Sequence, residues 1–292
     1  MRTLPPAVLL AALLAPACAA PMAAPGEFVE GRTPSSDGVP IAWEDRGVGE
    51  PAIVLVHGWR CDRAFWRWTA PDLAQDRRVV SIDLAGHGGS GADRAEWSIR
   101  SLAEDVRAVV EARGLGRVVL VGHSMGGPVS LAAAALMPGR VVAVVGVDTL
   151  HDAEFVFPKE SMDAAIAALD ADPEKALRGF LPSMLGAGCD PGLVDWIVTR
   201  GMRADHAGAS ALMRTFRDLD LRPLFSAAGV PIRCVNAAPD PAKGRQPTRV
   251  DRNRTYADFD AVLLEGAGHY PMVERPASFT ARLREVLDAL PR

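Results

Sequence analysis

Two rhythms of apolar residues alternate along this chain. Short unbroken apolar runs at 52–56, 79–83, 117–121 and 141–147 are the signature of strands buried on both faces. Between them lie segments in which apolar positions recur every three or four residues: Ile99, Leu102, Val106, Val109 and Val110 in one, and the small-residue stretch 127–136 in another. A further strand is expected at 39–44. Repeated strand–helix units predict an α/β architecture with a mostly parallel sheet covered by helices. From about 151 to 222 the strand runs stop. Met162, Ile166 and Leu169, then Leu177, Phe180, Leu181 and Met184, then Leu193, Trp196 and Ile197, then Leu212, Met213 and Phe216 all fall at helical spacing, punctuated by Pro173, Pro182 and Pro191. Strands resume at 232–235 and 261–264, and a last helix covers 279–290. The helical block is therefore an insertion into a sheet that continues past it.

The strand at 117–121 runs directly into Gly122-His123-Ser124-Met125-Gly126, with a helix behind it. A serine between strand and helix must take a strained conformation to lift its hydroxyl clear, and glycines two residues either side let the two elements approach. This is a nucleophile elbow, and it makes Ser124 the candidate nucleophile.

At 292 residues, 49% hydrophobic and 23% charged, the chain is long enough for one large domain with an insertion. Its formal net charge of −4, without a local Lys/Arg cluster, argues against a nucleic-acid partner. Residues 1–20 differ from the rest: Arg2, an apolar stretch at 8–14, and Ala17-Cys18-Ala19-Ala20 resemble a secretory signal. Cleavage near Ala19 or Ala20 would release an exported enzyme, periplasmic or extracellular. Lipidation of Cys18, with membrane attachment, is the alternative. Of the other cysteines, Cys234 falls within a strand pattern and is expected as a buried thiol. Cys61 and Cys189 fall in segments expected to border the active site, which makes a bridge between them one possible pairing.

Four local matches, His57-Gly58-Trp59, Asp83-Leu84-Ala85-Gly86-His87-Gly88-Gly89-Ser90, the elbow, and Gly266-Ala267-Gly268-His269, together resemble the α/β-hydrolase family over about residues 37–290. The resemblance implies one α/β-hydrolase domain at 27–292, with a helical cap inserted at about 151–222. It also implies an architectural role for His57.

A serine hydroxyl needs a base. His269 lies in a glycine-flanked loop at the carboxyl end of a strand, where open α/β sheets bind ligands, and is the expected base. An acid must orient it. Asp240, just past the strand at 232–235, is the first expectation and gives the chain order Ser124, Asp240, His269. Asp148, which ends the strand at 141–147, is the alternative acid. Oxyanion donors are expected from the backbone N–H groups of Met125 and Trp59. The glycine-rich turn at 83–90 lacks the features of a phosphate cradle, and the His and Asp residues lack ligand spacing, so neither cofactor nor metal is expected. Phe155, Phe157, Phe180, Leu185, Trp196 and Phe216 are candidates for the insert's own core or for an acyl pocket.

The reading that results is a serine hydrolase cleaving a small to medium carboxylic ester through an acyl-enzyme. Lactonase, thioesterase, amidase, carbon–carbon bond hydrolase and cofactor-free perhydrolase chemistry are open to the same triad. The rival from another class is a non-catalytic ligand-binding protein on the same fold.

Overall fold

The computed structural model describes residues 27–243 and 247–290. The expected export signal, with Cys18, lies outside the described residues.

Eight strands form one sheet: β1 (Phe28–Pro34), β2 (Pro40–Arg46), β3 (Ala52–Val56), β4 (Val79–Ile82), β5 (Val118–His123), β6 (Val141–Val147), β7 (Ile232–Ala237) and β8 (Phe259–Leu264), in the order β1-β2-β4-β3-β5-β6-β7-β8. β1 and β2 are antiparallel additions at one edge, and the other pairings are parallel. Successive side chains of the central strands point to opposite faces. Val54, Val56, Leu120 and Val144 enter one core, while Ile53, Leu55, Val119, Val121 and Val145 enter the other. Both faces are therefore apolar, as the unbroken runs require.

The helices are α1 (Thr69–Leu73), α2 (Ile99–Ala112), α3 (Gly126–Leu136), α4 (Lys159–Ala171), α5 (Pro173–Met184), α6 (Gly192–Gly201), α7 (His206–Arg217), α8 (Arg222–Ala228), α9 (Val250–Asn253), α10 (Pro271–Glu274) and α11 (Pro276–Asp288). Leu102 and Val106 of α2, Val129 of α3 and Phe225 of α8 fill the first core. Leu73 of α1 with Phe279 and Leu283 of α11 fill the second. α2 begins at a capping box in which the Ser98 and Ser101 hydroxyls each accept from the other's backbone N–H at 3.0 Å. The regular elements between β6 and β7 are all helices: α4 to α7 form the inserted block, and α8 returns to pack on α3.

β1 was not expected. Its residues alternate between exposed and half-buried, and few are apolar, so the strand carries no run. What fixes it is backbone pairing with β2 and the close approach of Trp43, whose ring lies where a Cβ on Gly31 would sit, 2.6 Å from Cζ2. Cys61, Cys189 and Cys234 are all free, so the possible Cys61–Cys189 bridge does not form. Cys234 is fully buried, as expected, and burial pushes its thiol well above the usual range. The Cys189 thiol instead donates to Glu274 Oε2 at 3.1 Å, and burial followed by that carboxylate pushes it up to about 11.

Candidate active site

β5 delivers Ser124 at φ +51°, a left-handed conformation that costs a non-glycine residue of order 1–3 kcal/mol. The surroundings hold it there. Its N–H donates to Val147 O at 3.1 Å, and its carbonyl accepts from Gly127 N–H at 2.9 Å and from Thr149 Oγ1 at 2.8 Å. The flanking glycines are sterically required: a Cβ on Gly122 would lie 2.2 Å from Gly126 O, and one on Gly126 would lie 2.4 Å from Val56 O.

His269 follows β8. Its Nε2 lies 2.9 Å from Ser124 Oγ, and its Nδ1 lies 2.7 Å from Asp148 Oδ2. A carboxylate accepts only, so Nδ1 carries the proton and Nε2 is free to accept from the serine. The acid on His269 is thus Asp148, the alternative, and not Asp240, the first expectation. Asp148 ends β6, which pairs directly with Ser124's strand β5, and its own φ of +43° swings the carboxylate over the sheet edge. Asp240 lies beyond the end of β7 in a short turn, closed by Lys243 N–H donating to its carbonyl at 3.0 Å. At the end of β7 it is the Ala237 N–H that faces the site, donating to Asp148 Oδ1 at 2.9 Å.

A second imidazole also reaches this carboxylate. His151 Nε2 is 3.5 Å from Asp148 Oδ1, while His151 Nδ1 faces Thr248 Oγ1 at 3.1 Å and Asn236 Nδ2 at 3.3 Å. Burial pushes the Asp148 carboxyl up, but hydrogen bonds and charge from His151 and His269 outweigh it and hold the group well below the usual carboxylate range. Asp148 therefore stays ionised at neutral pH.

Glu274 organises the His269 loop. Its Oε2 accepts from Gly268 N–H at 2.8 Å and Gly186 N–H at 2.7 Å, and its Oε1 accepts from Tyr270 N–H at 2.7 Å. His269 N–H itself donates to Met184 O of the inserted helices at 2.8 Å, so the His269 loop and the insert are tied together. Glu274 has no local sequence signal, and the one that could have found His151 is its place with Asp148 and Asp152 at a strand end.

His57, His87 and His123 are buried and engaged by backbone groups. His57 Nε2 accepts from Leu84 N–H at 2.9 Å, His87 Nε2 accepts from Arg60 N–H at 3.1 Å, and His123 Nε2 lies 2.8 Å from His269 O. Burial lowers His57 to about 4, and burial reinforced by a neighbouring histidine lowers His87 and His123 to about 3. All three are neutral spacers around the site.

Met125 precedes the first turn of α3, and Trp59 follows the His57-Gly58 turn at the end of β3. Both border the cavity above Ser124, and neither backbone N–H donates to a protein acceptor among the described residues. The Trp59 indole N–H donates to Ala209 O of α7 at 2.8 Å, a further tie to the cap. The cavity measures about 650 Å³. Ser124 and His269 lie at its polar end, and Phe155, Phe157, Phe180 and Phe216 of the insert line it with Met162 and Met213. Leu185 and Trp196 belong instead to the packing beneath the insert, where Trp196 meets Phe65 at a ring separation of 4.8 Å.

A sheet of this order, with a strained serine after β5 and a histidine after β8, is the α/β-hydrolase fold. The family described as alpha/beta hydrolase fold matches residues 51–190. The chain is 28% identical over 258 residues to a pimeloyl-[acyl-carrier protein] methyl ester esterase of Edwardsiella ictaluri, covering 85% of this chain and 97% of that protein. It is 33% identical over 150 residues to the dihydrolipoyllysine-residue acetyltransferase component of the acetoin cleaving system of Pseudomonas putida, a match covering 48% of this chain and 40% of that protein. An esterase from Exiguobacterium antarcticum superposes with a TM-score of 0.78 at 22% identity, over 88% of this chain and 99% of that one. The chain thus has the α/β-hydrolase fold and is similar to esterases of that fold.

Proposed function

We propose that the protein is a serine hydrolase acting on a small to medium carboxylic ester. The observation that carries this reading is the continuous chain of contacts from Ser124 Oγ through His269 to Asp148, at 2.9 and 2.7 Å, opening into an apolar cavity. Ser124 Oγ attacks the ester carbonyl while His269 Nε2 takes its proton. Asp148 fixes the imidazole and stabilises the imidazolium. The Met125 and Trp59 N–H groups hold the oxyanion, each stabilising the transition state by about 3 kcal/mol. His269 returns the proton to the departing alcohol, leaving an acyl-Ser124. Water, deprotonated by the same imidazole, then releases the acid and restores the serine.

The aromatic and Met lining of the cavity supports an apolar acyl or alcohol group of moderate length. Residues 1–20 support export, ending either in cleavage near Ala19 or Ala20 or in lipid attachment at Cys18. Hydrolysis of nitrophenyl esters of increasing chain length, run beside matched anilides and thioesters, tests the substrate class. Turnover is expected to be highest for esters and to fall once the acyl chain outgrows the cavity. Preference for anilides or thioesters, or no turnover of any of the three, would overturn the reading.

A further inference from the structure

A second cavity, of about 430 Å³, opens between the core and the inserted helices and shares no lining residue with the first. Five arginines border it: Arg46 of β2, Arg63 and Arg67 from the segment after β3, and Arg200 and Arg203 at the end of α6. Three of them are matched. Arg46 pairs with Glu44 at 2.5 Å, Arg63 with Glu30 at 3.1 Å and Asp83 at 3.5 Å, and Arg200 forks onto Asp62 with contacts of 2.6 to 2.9 Å. These carboxylates are committed, since Asp83 also accepts the N–H groups of Arg63 at 2.7 Å and Gly89 at 2.9 Å.

Arg67 and Arg203 are left over. Neither has a carboxylate within ion-pair distance among the described residues. Arg67 is moreover held against a like charge: its guanidinium sits 4.1 Å from the centre of the Trp196 ring, and that of Arg200 approaches the same ring at 5.6 Å. Burial and then Arg200 draw the Arg67 guanidinium below its ordinary value, though it remains charged. Two guanidiniums without a carboxylate of their own leave the cavity with surplus positive charge and a shortage of anionic oxygen acceptors.

We propose that this cavity binds a phosphate-bearing anion, gripped by Arg67 from the core and Arg203 from the cap. Guanidinium groups recognise phosphate oxygens by paired N–H donors, and the cavity has room for an organic group beyond the phosphate itself. Because the two arginines come from opposite sides of the core–cap junction, the bound anion crosslinks it beside the Arg200–Asp62 fork. The site is separate from Ser124, so its occupancy does not depend on the proposed chemistry there.

Isothermal titration of the full chain with inorganic phosphate, and separately with glycerol phosphate, at constant ionic strength tests this. Saturable binding is expected for at least one of the two with a Kd of about 1 mM or tighter. It is expected to weaken about tenfold or more in the Arg67→Ala/Arg203→Ala double variant and to be unchanged in Ser124→Ala. Both arginines are exposed, so their truncation leaves the core intact. Tighter binding of glycerol phosphate marks a phosphomonoester as the ligand, and tighter binding of phosphate marks the free ion. Equal binding by the double variant, or no saturable heat from either ligand with the wild type, would overturn the proposal.

Discussion

Ser124 at φ +51° and Asp148 at φ +43° are two strained residues at the ends of adjacent strands, and the strain aims both side chains at one imidazole. The Asp148 carboxylate is satisfied on both oxygens: Oδ2 by His269, and Oδ1 by the Ala237 N–H and His151. An amide in its place would present a donor to His269 Nδ1 and favour the wrong tautomer. Asp148→Asn is therefore expected to lower kcat by about 10³–10⁴-fold, by analogy with other triads. Asp240→Asn is expected to leave kcat within about twofold, because among the described residues it neither lines the cavity nor reaches His269. Steady-state kinetics on one ester decides between them, and the opposite ranking would return the acid to Asp240.

At the scale of elements, what was readable was what burial imposes. β3, β5 and β6 are flanked by apolar matter on both faces, so their sequences had to be continuous runs, and α2 and α3 had to show their spacing and small residues. The elbow was legible because its glycines answer a steric demand that admits no other residue. Gly122→Ala is accordingly expected to cost several kcal/mol, since the new methyl meets backbone at Gly126 O rather than a movable side chain. Thermal unfolding checks this, and an unchanged Tm would mean that the strand–helix approach is looser than described. β1 was invisible because an edge strand of few apolar residues, held by backbone pairing and by the Trp43 ring, carries no apolar run. The acid was misassigned for a related reason: two aspartates each followed a strand, and only the pairing of β6 with β5 and the backbone turn at Asp148 decide which one faces His269. His151 and Glu274 combine a local contact, to Asp148 and to the His269 loop, with others to residues more than 80 positions away, and periodicity reports neither.

Across the whole molecule, function and stability share the buried histidines. His57, lowered to about 4, and His87 and His123, lowered to about 3, remain neutral in the folded state at pH values where the unfolded chain, with a histidine value near 6.5, takes up protons. The unfolded state then binds more protons, so stability falls as pH drops from about 6.5 toward 4. Each histidine contributes up to about 1.4 kcal/mol per pH unit across that window. Asp83 and Asp105, raised chiefly by burial, act in the opposite sense. Tm measured from pH 7 to pH 4 is expected to decline steeply, and a flat profile would mean that these histidines are charged when folded.

The account as a whole depends on Ser124 being a nucleophile activated by His269. Intact-mass spectrometry after treatment with a fluorophosphonate tests that directly. The wild type is expected to gain a single phosphonyl adduct and Ser124→Ala none. An adduct on the alanine variant, or an unmodified wild type, would contradict it.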